Sequence, residues 1–289
     1  MTRLLKPFEY FEPRTVDEAV QVLSRYGNKA KVLAGGTDLL ISMKKGKISP
    51  KYIVYIKDIP ELDYIKYSQE VGLKIGALAT HSAIADSPII KAKFELLATA
   101  CGKVGTPQVR NMGTIGGNIC QAGPSQDLPP ALLVLDAKLK LVSLQGERMV
   151  SIDKFFIAPF RTALQETELL TEIRIPPLLP KSAGCYKWFT KTVAVDETLV
   201  GAAVLMSLDS TDGTCSDIKV GLCSVAPTLI RVRQAEEVLR GKKINNKLIE
   251  RAAQVAAEET RPRSRANYRR RMTKVLVSAA INETWQKIR

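Results

Sequence analysis

The sequence predicts an α+β fold, and three observations lead there. An N-terminal run alternates helix, strand, glycine loop and helix; a central stretch holds strand pairs with hairpin turns; and a C-terminal stretch places three strands before three helices. Strands and helices that segregate along a chain pack as layers of an α+β domain rather than as a doubly wound parallel sheet.

In the N-terminal run, Thr15-Val16-Asp17-Glu18 has the form of a capping box. Apolar Val16, Ala19, Val20 and Leu23 then recur at helical spacing, so a helix is expected over residues 15–26, ending at Gly27. Lys31-Val32-Leu33-Ala34 reads as a short buried strand, Gly35-Gly36-Thr37-Asp38 as the loop that follows, and residues 39–43, beginning at Leu39, as a helical turn. Residues 52–56 read as a strand, residues 62–67 and 71–75 as a hairpin or adjacent strands, and residues 82–104 as a helical region. Gln145-Gly146 turns between strands at 139–144 and 148–152, and residues 168–175 close the stretch. Pro176-Pro177-Leu178-Leu179-Pro180-Lys181 is the strongest linker candidate. Strands at 185–190, 199–208 and 216–225 follow it, then helical patterns at 231–240, 247–259 and 268–285. The expected domains are therefore 1–57, 58–176 and 181–289.

The 289-residue chain is 45% hydrophobic, enough to bury a globular core. No stretch approaches the roughly 18 consecutive apolar residues of a membrane span, and the first residues lack a signal-peptide apolar region, so a soluble cytoplasmic protein is expected. Five scattered cysteines without a Cys-x-x-Cys, and one histidine, are poor equipment for a disulfide framework or a metal site. The net charge of +14 peaks in residues 261–274, where seven basic residues accompany a single aromatic, Tyr268. Base-stacking platforms interleave several aromatics, so this run reads as a solvated or partner-facing helix start, with no nucleic-acid role. His81 lies where a strand yields to a helix and reads as a surface or capping residue. With no partner pair for it, a Ser-His-Asp or Cys-His nucleophile is excluded, and no catalytic residue is assigned.

The remaining chemistry lies in two glycine pairs. Ala34-Gly35-Gly36-Thr37-Asp38 and Thr114-Ile115-Gly116-Gly117-Asn118 each follow an apolar run and carry a small hydroxyl, a combination that suits a diphosphate. Neither has the G-x-G-x-x-G spacing of a nicotinamide-dinucleotide site, and no Gly-Lys-Ser or Gly-Lys-Thr completes a P-loop. Asn118, Gln121, Gln126 and Asp127 follow the second pair closely, and acceptors such as Asp127 suit sugar-alcohol hydroxyls. Phosphate loops beside hydroxyl acceptors fit a flavin dinucleotide.

Val32-Leu33-Ala34-Gly35-Gly36-Thr37-Asp38-Leu39-Leu40, Gln108-Val109-Arg110-Asn111-Met112-Gly113-Thr114-Ile115-Gly116-Gly117-Asn118, Asp127-Leu128-Pro129-Pro130, Val200-Gly201-Ala202-Ala203-Val204 and Gly221-Leu222-Cys223-Ser224-Val225-Ala226-Pro227 fall in order along the chain. In these segments the sequence resembles the FAD-binding medium subunits of molybdenum hydroxylases, over residues 7–281. The resemblance implies an FAD-binding fold of the p-cresol methylhydroxylase type, with two N-terminal subdomains and a C-terminal α+β domain closing over the flavin ring. It implies that Val32, Leu33, Ala34, Gly35, Gly36, Thr37, Asp38 and Leu39 wrap the diphosphate. Thr114, Ile115, Gly116, Gly117 and Asn118 form a second phosphate and ribityl loop, Asp127 bonds ribityl or ribose hydroxyls, and Leu170 packs near the ring. The family often has a lysine two residues after the tyrosine matched by Tyr186; this chain has Trp188 there and Lys187 one place earlier, so either residue is a candidate for the ring's neighbourhood. Asp196 is divided between closing a turn and touching the flavin.

The resemblance further implies partners: a large molybdopterin subunit and a small subunit with [2Fe-2S] clusters, assembled as a dimer of heterotrimers, with this chain passing electrons from the clusters through FAD to an external acceptor. Two other readings are a self-contained flavin oxidase or dehydrogenase and a basic scaffold in which the glycine pairs are only turns.

Overall fold

The computed structural model describes residues 5–192 and 197–289. Among them the chain forms three main sheets, each from one contiguous stretch of sequence. The first is parallel: β1 (Glu9–Phe11), β2 (Ala30–Leu33) and β3 (Tyr52–Tyr55) lie in the order β1-β3-β2. Helix α1 (Val16–Tyr26) connects β1 to β2, and α2 (Leu39–Lys44) lies between β2 and β3. The Thr15 hydroxyl accepts from the Glu18 amide at 3.2 Å, while the Glu18 carboxylate turns back to the Arg14 amide at 2.7 Å, one residue earlier than in the usual reciprocal box. The Ala19, Val20 and Leu23 stripe of α1 is buried with Val54 of β3, with Leu169 of β10 in the next sheet and with Leu78 just after β5, so this helix joins the two layers.

The second sheet takes β4 (Ile65–Ser68) and β5 (Gly72–Gly76) as one hairpin. A succession of short helices follows: α3 (His81–Asp86), α4 (Pro88–Lys93), α5 (Glu95–Lys103), α6 (Pro107–Met112), α7 (Ile115–Gln121) and α8 (Leu128–Val134). Then come β6 (Lys138–Ser143), β7 (Gly146–Ser151), a small separate hairpin of β8 (Phe156–Ala158) and β9 (Arg161–Thr162), and β10 (Leu169–Ile175). The five-stranded sheet is antiparallel in the order β4-β5-β10-β6-β7. One face, through Leu73, Ile75, Leu139, Leu141, Ile173 and Ile175, packs on the helices to form the largest core. The helical region expected over 82–104 is three helices, separated at Ser87-Pro88 and Phe94. Thr114-Ile115-Gly116-Gly117, expected as a loop, is instead the N-terminal turn of α7, with Thr114 as its cap.

The third sheet holds β11 (Ser182–Phe189), β12 (Val200–Leu208), β13 (Cys215–Cys223) and β14 (Ile230–Arg231), antiparallel in chain order. It is followed by α9 (Arg233–Leu239), α10 (Asn246–Glu258) and α11 (Ala266–Ile288). All nine residues of β12 are buried because both faces are covered. Val200, Ala202, Val204 and Met206 face the core made by α9, α10 and α11, while Ala203 and Leu205 join the core of the preceding sheet, where α8 packs across β12 and β13. Alternate side chains of β12 thus belong to different halves of the protein.

The basic run contains a structural member. Arg269 donates through Nη1 to the Leu199 and Ser224 carbonyls at 2.6 and 2.5 Å, pinning the start of α11 to the ends of β12 and β13. Arg261, Arg263, Arg265, Arg270 and Arg271 are exposed.

Beneath α9, Glu236 is 1% exposed and accepts from the Val220 amide at 2.9 Å and from Arg231 Nε and Nη2 at 2.7 and 3.0 Å. Removing the carboxylate leaves Nε and Nη2 of a largely buried guanidinium, and a buried amide, without their acceptor, while Nη1 keeps Asp136. Glu236→Ala is therefore expected to destabilise the protein by about 3–5 kcal/mol, read from urea unfolding; a loss under about 1 kcal/mol would show the pair to be dispensable.

Candidate functional site

The two glycine segments meet. A Cβ built on Gly35 would run into the Met112 carbonyl, so the first loop lies against the end of α6 with no room for a side chain. Gly36 has φ of +73°, the left-handed turn that releases the chain from β2 into α2. Thr37 Oγ1 lies 3.5 Å from the Cβ position of Gly113, between α6 and α7. Val32, Leu33 and Ala34 are half-buried at the end of β2 leading into this junction. Among the described residues, the amides of Gly35, Gly36, Thr37 and Asp38 find no protein acceptor, and the exposed Asp38 side chain caps none of the first amides of α2. Four unpaired donors in succession suit an anion.

The second pair works differently. Thr80 and Thr114 form an isolated antiparallel bridge, and the amides from Ile115 to Asn118 are used: Ile115 and Gly116 donate to the Ala79 and Ala77 carbonyls at 3.0 and 2.9 Å, Gly117 to Thr114 Oγ1 at 3.1 Å, and Asn118 to the Thr114 carbonyl at 3.0 Å. These four amides are thus not free donors, whereas the Thr114 hydroxyl is here an acceptor and donates to nothing among the described residues. The two glycines serve separate purposes. A Cβ on Gly116 would sit 2.8 Å from the Ala77 Cβ and carbonyl, while a Cβ on exposed Gly117 would meet only its own capping hydroxyl, at 3.0 Å. Gly117 has no positive φ; its missing side chain leaves the outer face of α7 open.

Acceptors gather on the C-terminal side of α7. Gln126 Nε2 donates to the Asn118 carbonyl and to Gln121 Oε1 at 2.8 and 2.7 Å, leaving Gln126 Oε1 and Asn118 Oδ1 buried with no donor. Next to them Asp127 Oδ1 accepts from Tyr186 Oη at 2.6 Å and from Thr198 Oγ1 at 2.7 Å, while Oδ2 accepts nothing among the described residues. Burial raises the Asp127 carboxyl above its usual range, against the lowering effect of the two hydroxyls and the Lys103 charge. Buried acceptors without donors call for a ligand rich in hydroxyls, and unpaired amides call for one carrying phosphate; a flavin dinucleotide carries both.

Other expected residues lie elsewhere. Lys187 pairs in register with Ala202, on the α11 side of the sheet, and forms an ion pair with Glu283; it points away from Asp127. Tyr186 and Trp188 share the opposite face, stacked at 5.9 Å, with Lys103 Nζ 3.9 Å from the indole centroid. The lysine on this face therefore comes from α5, which strand position alone gave no means of finding. Leu170 is 3% exposed in the core of the second sheet, closed off by protein. Asp196 lies outside the described residues. No group of three metal-ligating side chains occurs among the described residues, and no helix is long and apolar enough to cross a membrane.

Fold and site together define a flavin-dinucleotide-binding α+β protein. Family comparison agrees: residues 6–178 match the FAD binding domain in molybdopterin dehydrogenase, and residues 185–284 match the CO dehydrogenase flavoprotein C-terminal domain. The chain is 34% identical to the carbon monoxide dehydrogenase medium chain of Hydrogenophaga pseudoflava, covering 97% of this chain and 98% of that one. It is 35% identical to the glyceraldehyde dehydrogenase medium chain of Sulfolobus acidocaldarius, covering 96% and 98%. A solved structure of the Hydrogenophaga pseudoflava carbon monoxide dehydrogenase superposes with a TM-score of 0.94 at 35% identity, over 99% of this chain and 100% of that one. The chain belongs to the family of FAD-binding medium subunits of molybdenum hydroxylases; it is an oxidoreductase subunit and its cofactor is FAD.

His81, expected at the surface, is 2% exposed beneath the junction, its Cδ2 3.2 Å from the Gly113 Cβ position. Burial, with the Arg110 charge, lowers its pKa to about 4. Between the unfolded value of about 6.5 and this one, the native state binds fewer protons, so stability present above pH 6.5 is lost as pH falls toward 4, by about 3 kcal/mol in all. Because the chain has one histidine, its imidazole NMR signal identifies itself. It is expected to titrate near pH 4, and a midpoint near 6.5 would place the ring in solvent.

Proposed function

We propose that this chain is the electron-transfer subunit of a heteromeric molybdenum hydroxylase. It takes electrons from the [2Fe-2S] clusters of a small subunit, which receives them from a large molybdopterin subunit, and passes them to an external acceptor. The observation that carries the reading is a loop with four unpaired amides, Gly35–Asp38, packed against the α6–α7 junction, while Asn118 Oδ1, Gln126 Oε1 and Asp127 Oδ2 farther along the same segment accept no hydrogen bond among the described residues. Bound FAD supplies the redox chemistry.

The residues divide the binding. The Gly35, Gly36, Thr37 and Asp38 amides hold the diphosphate, with Val32 to Ala34 and Leu39 framing the loop. The open face at Gly117 lets the cofactor lie against α7, and Asn118, Gln126 and Asp127 Oδ2 accept from its hydroxyls. Thr114, Ile115 and Gly116 act through the backbone, keeping that turn in place. No acid or base is needed for electron transfer, and the dense basic surface of α11 suits a less basic partner. We divide the chain into domains at 1–57, 58–176 and 181–289, assembled with the large and small subunits as a dimer of heterotrimers in the cytoplasm. The substrate is chosen outside this chain, by the large subunit.

Two variants test the site. Gly117→Val adds a branched side chain on the open face, where its Cβ meets only the Thr114 capping hydroxyl, at 3.0 Å, so the protein is expected to stay folded by circular dichroism and lose most of its FAD. Gly116→Ala, whose Cβ meets Ala77, is the contrasting control and is expected to lower thermal stability instead. Acid precipitation should release noncovalent FAD from the unaltered protein; full occupancy in folded Gly117→Val would remove α7 from the site. For the assembly, co-expression with the neighbouring large and small subunits should give one complex on size exclusion, and separate chains would refute it.

A further inference from the structure

Asp127 lies in the segment matched as the FAD-binding domain, and both hydroxyls that bond it, from Tyr186 and Thr198, lie in the segment matched as the C-terminal domain. Both donate to the same oxygen, Oδ1. Two donors on one oxygen fix the carboxylate plane and favour its anionic form, and they leave Oδ2 as a strong acceptor.

The surroundings are built to permit this reach. A Cβ on Gly201 would sit 2.6 Å from Tyr186 Oη and from Cys223 Sγ, so the bare glycine of β12 makes room for the hydroxyl. Thr198 is 3% exposed, and its carbonyl is held by Ser224 Oγ at 2.5 Å. The Ser224 amide in turn donates to the Pro124 carbonyl at 2.7 Å, across the same seam. Three residues before Asp127, the chain is thus tied to the C-terminal sheet by backbone as well.

We infer that Tyr186 and Thr198 are positioning residues for FAD, joining the C-terminal domain to the cofactor site through Asp127. The inference rests on the reading of Asp127 Oδ2 as a cofactor acceptor. Neither side chain touches the cofactor in this account; both act through Asp127. Among the described residues, the charged and titratable groups facing that carboxylate are Lys103 of α5, Tyr186 of β11 and Cys223 of β13.

The test is a mutant cycle on the full chain, with FAD affinity measured by flavin fluorescence and stability of the apo-protein by urea. Tyr186→Phe and Thr198→Val, near-isosteric, are each expected to weaken FAD about 5- to 10-fold, whereas Thr198→Ser retains affinity. In an Asp127→Ala background the same two changes should have no further effect, because the group they position is gone. The pH profile supplies a readout that looser packing would not move. Losing either hydroxyl raises the Asp127 pKa further, so FAD affinity should fall at a higher pH than in the unaltered protein. Full additivity with Asp127→Ala, or unchanged affinity in both single variants, overturns the inference while leaving the FAD site intact. If Asp127→Ala itself binds FAD normally, the assignment of Oδ2 fails, and the inference fails with it.

Discussion

The contact between Gly35 and the Met112 carbonyl is the constraint on which the rest of the site depends. It brings the end of a parallel strand against the end of a helix from the next sheet, with no side chain between them. That approach sets the separation of the two glycine segments, which lie far apart in sequence. Thr37, Gly113 and His81 then stack in the remaining space, and the Thr80–Thr114 bridge ties α3 to the start of α7. A larger group at Gly35 would push the first loop away from α6 and separate the unpaired amides from the acceptors on α7. Close backbone approach is the usual reason for a glycine beside a bound phosphate.

The two glycine pairs look alike in sequence and act in opposite ways. The first exposes donors because its amides lie in a turn between strand and helix, where neither ladder nor helix claims them. The second spends its donors on the Ala77 and Ala79 carbonyls and on its own cap, and contributes a smooth helix face instead. An anion is thus favoured on one side of the junction, while the other side offers surface and, farther along, acceptors.

The seam between the second and third sheets is the other organising feature. α8 packs across β12 and β13, and Asp136 just beyond it accepts from Lys219 and from Arg231, the latter at 3.2 Å, both from the C-terminal sheet. Arg231 also meets buried Glu236, so one guanidinium serves the inner core and the seam together. Asp127 lies at the other end of α8. Charged groups at both ends of one short helix fix how the C-terminal layer sits on the cofactor-binding layer. Within the basic helix start the same economy applies: Arg269 is committed to backbone carbonyls, while its exposed neighbours carry the net positive surface.

By itself the sequence determined the elements whose signals are local. Helix α1, with its cap and apolar stripe, both central hairpins, and the strands-then-helices order after the proline linker were all legible, because periodicity and turn chemistry act over a few residues. The motifs that mark the family were legible too. Tertiary structure alone decided which strand faces meet. β11, which carries Tyr186 and Lys187, is half-buried over most of its length, so its burial alternation carries no direction, and nothing local told that Tyr186 reaches Asp127 while Lys187 turns to Glu283. It alone also made a helix of α7, where the glycine pair read as loop, and of α8, to which the sequence assigned no element. The α7 turn is held by carbonyls from the strand–helix connection before α3, and α8 is buried between two sheets. His81 was buried for the same reason: its setting belongs to the meeting of two glycine segments, which no window of neighbouring residues contains.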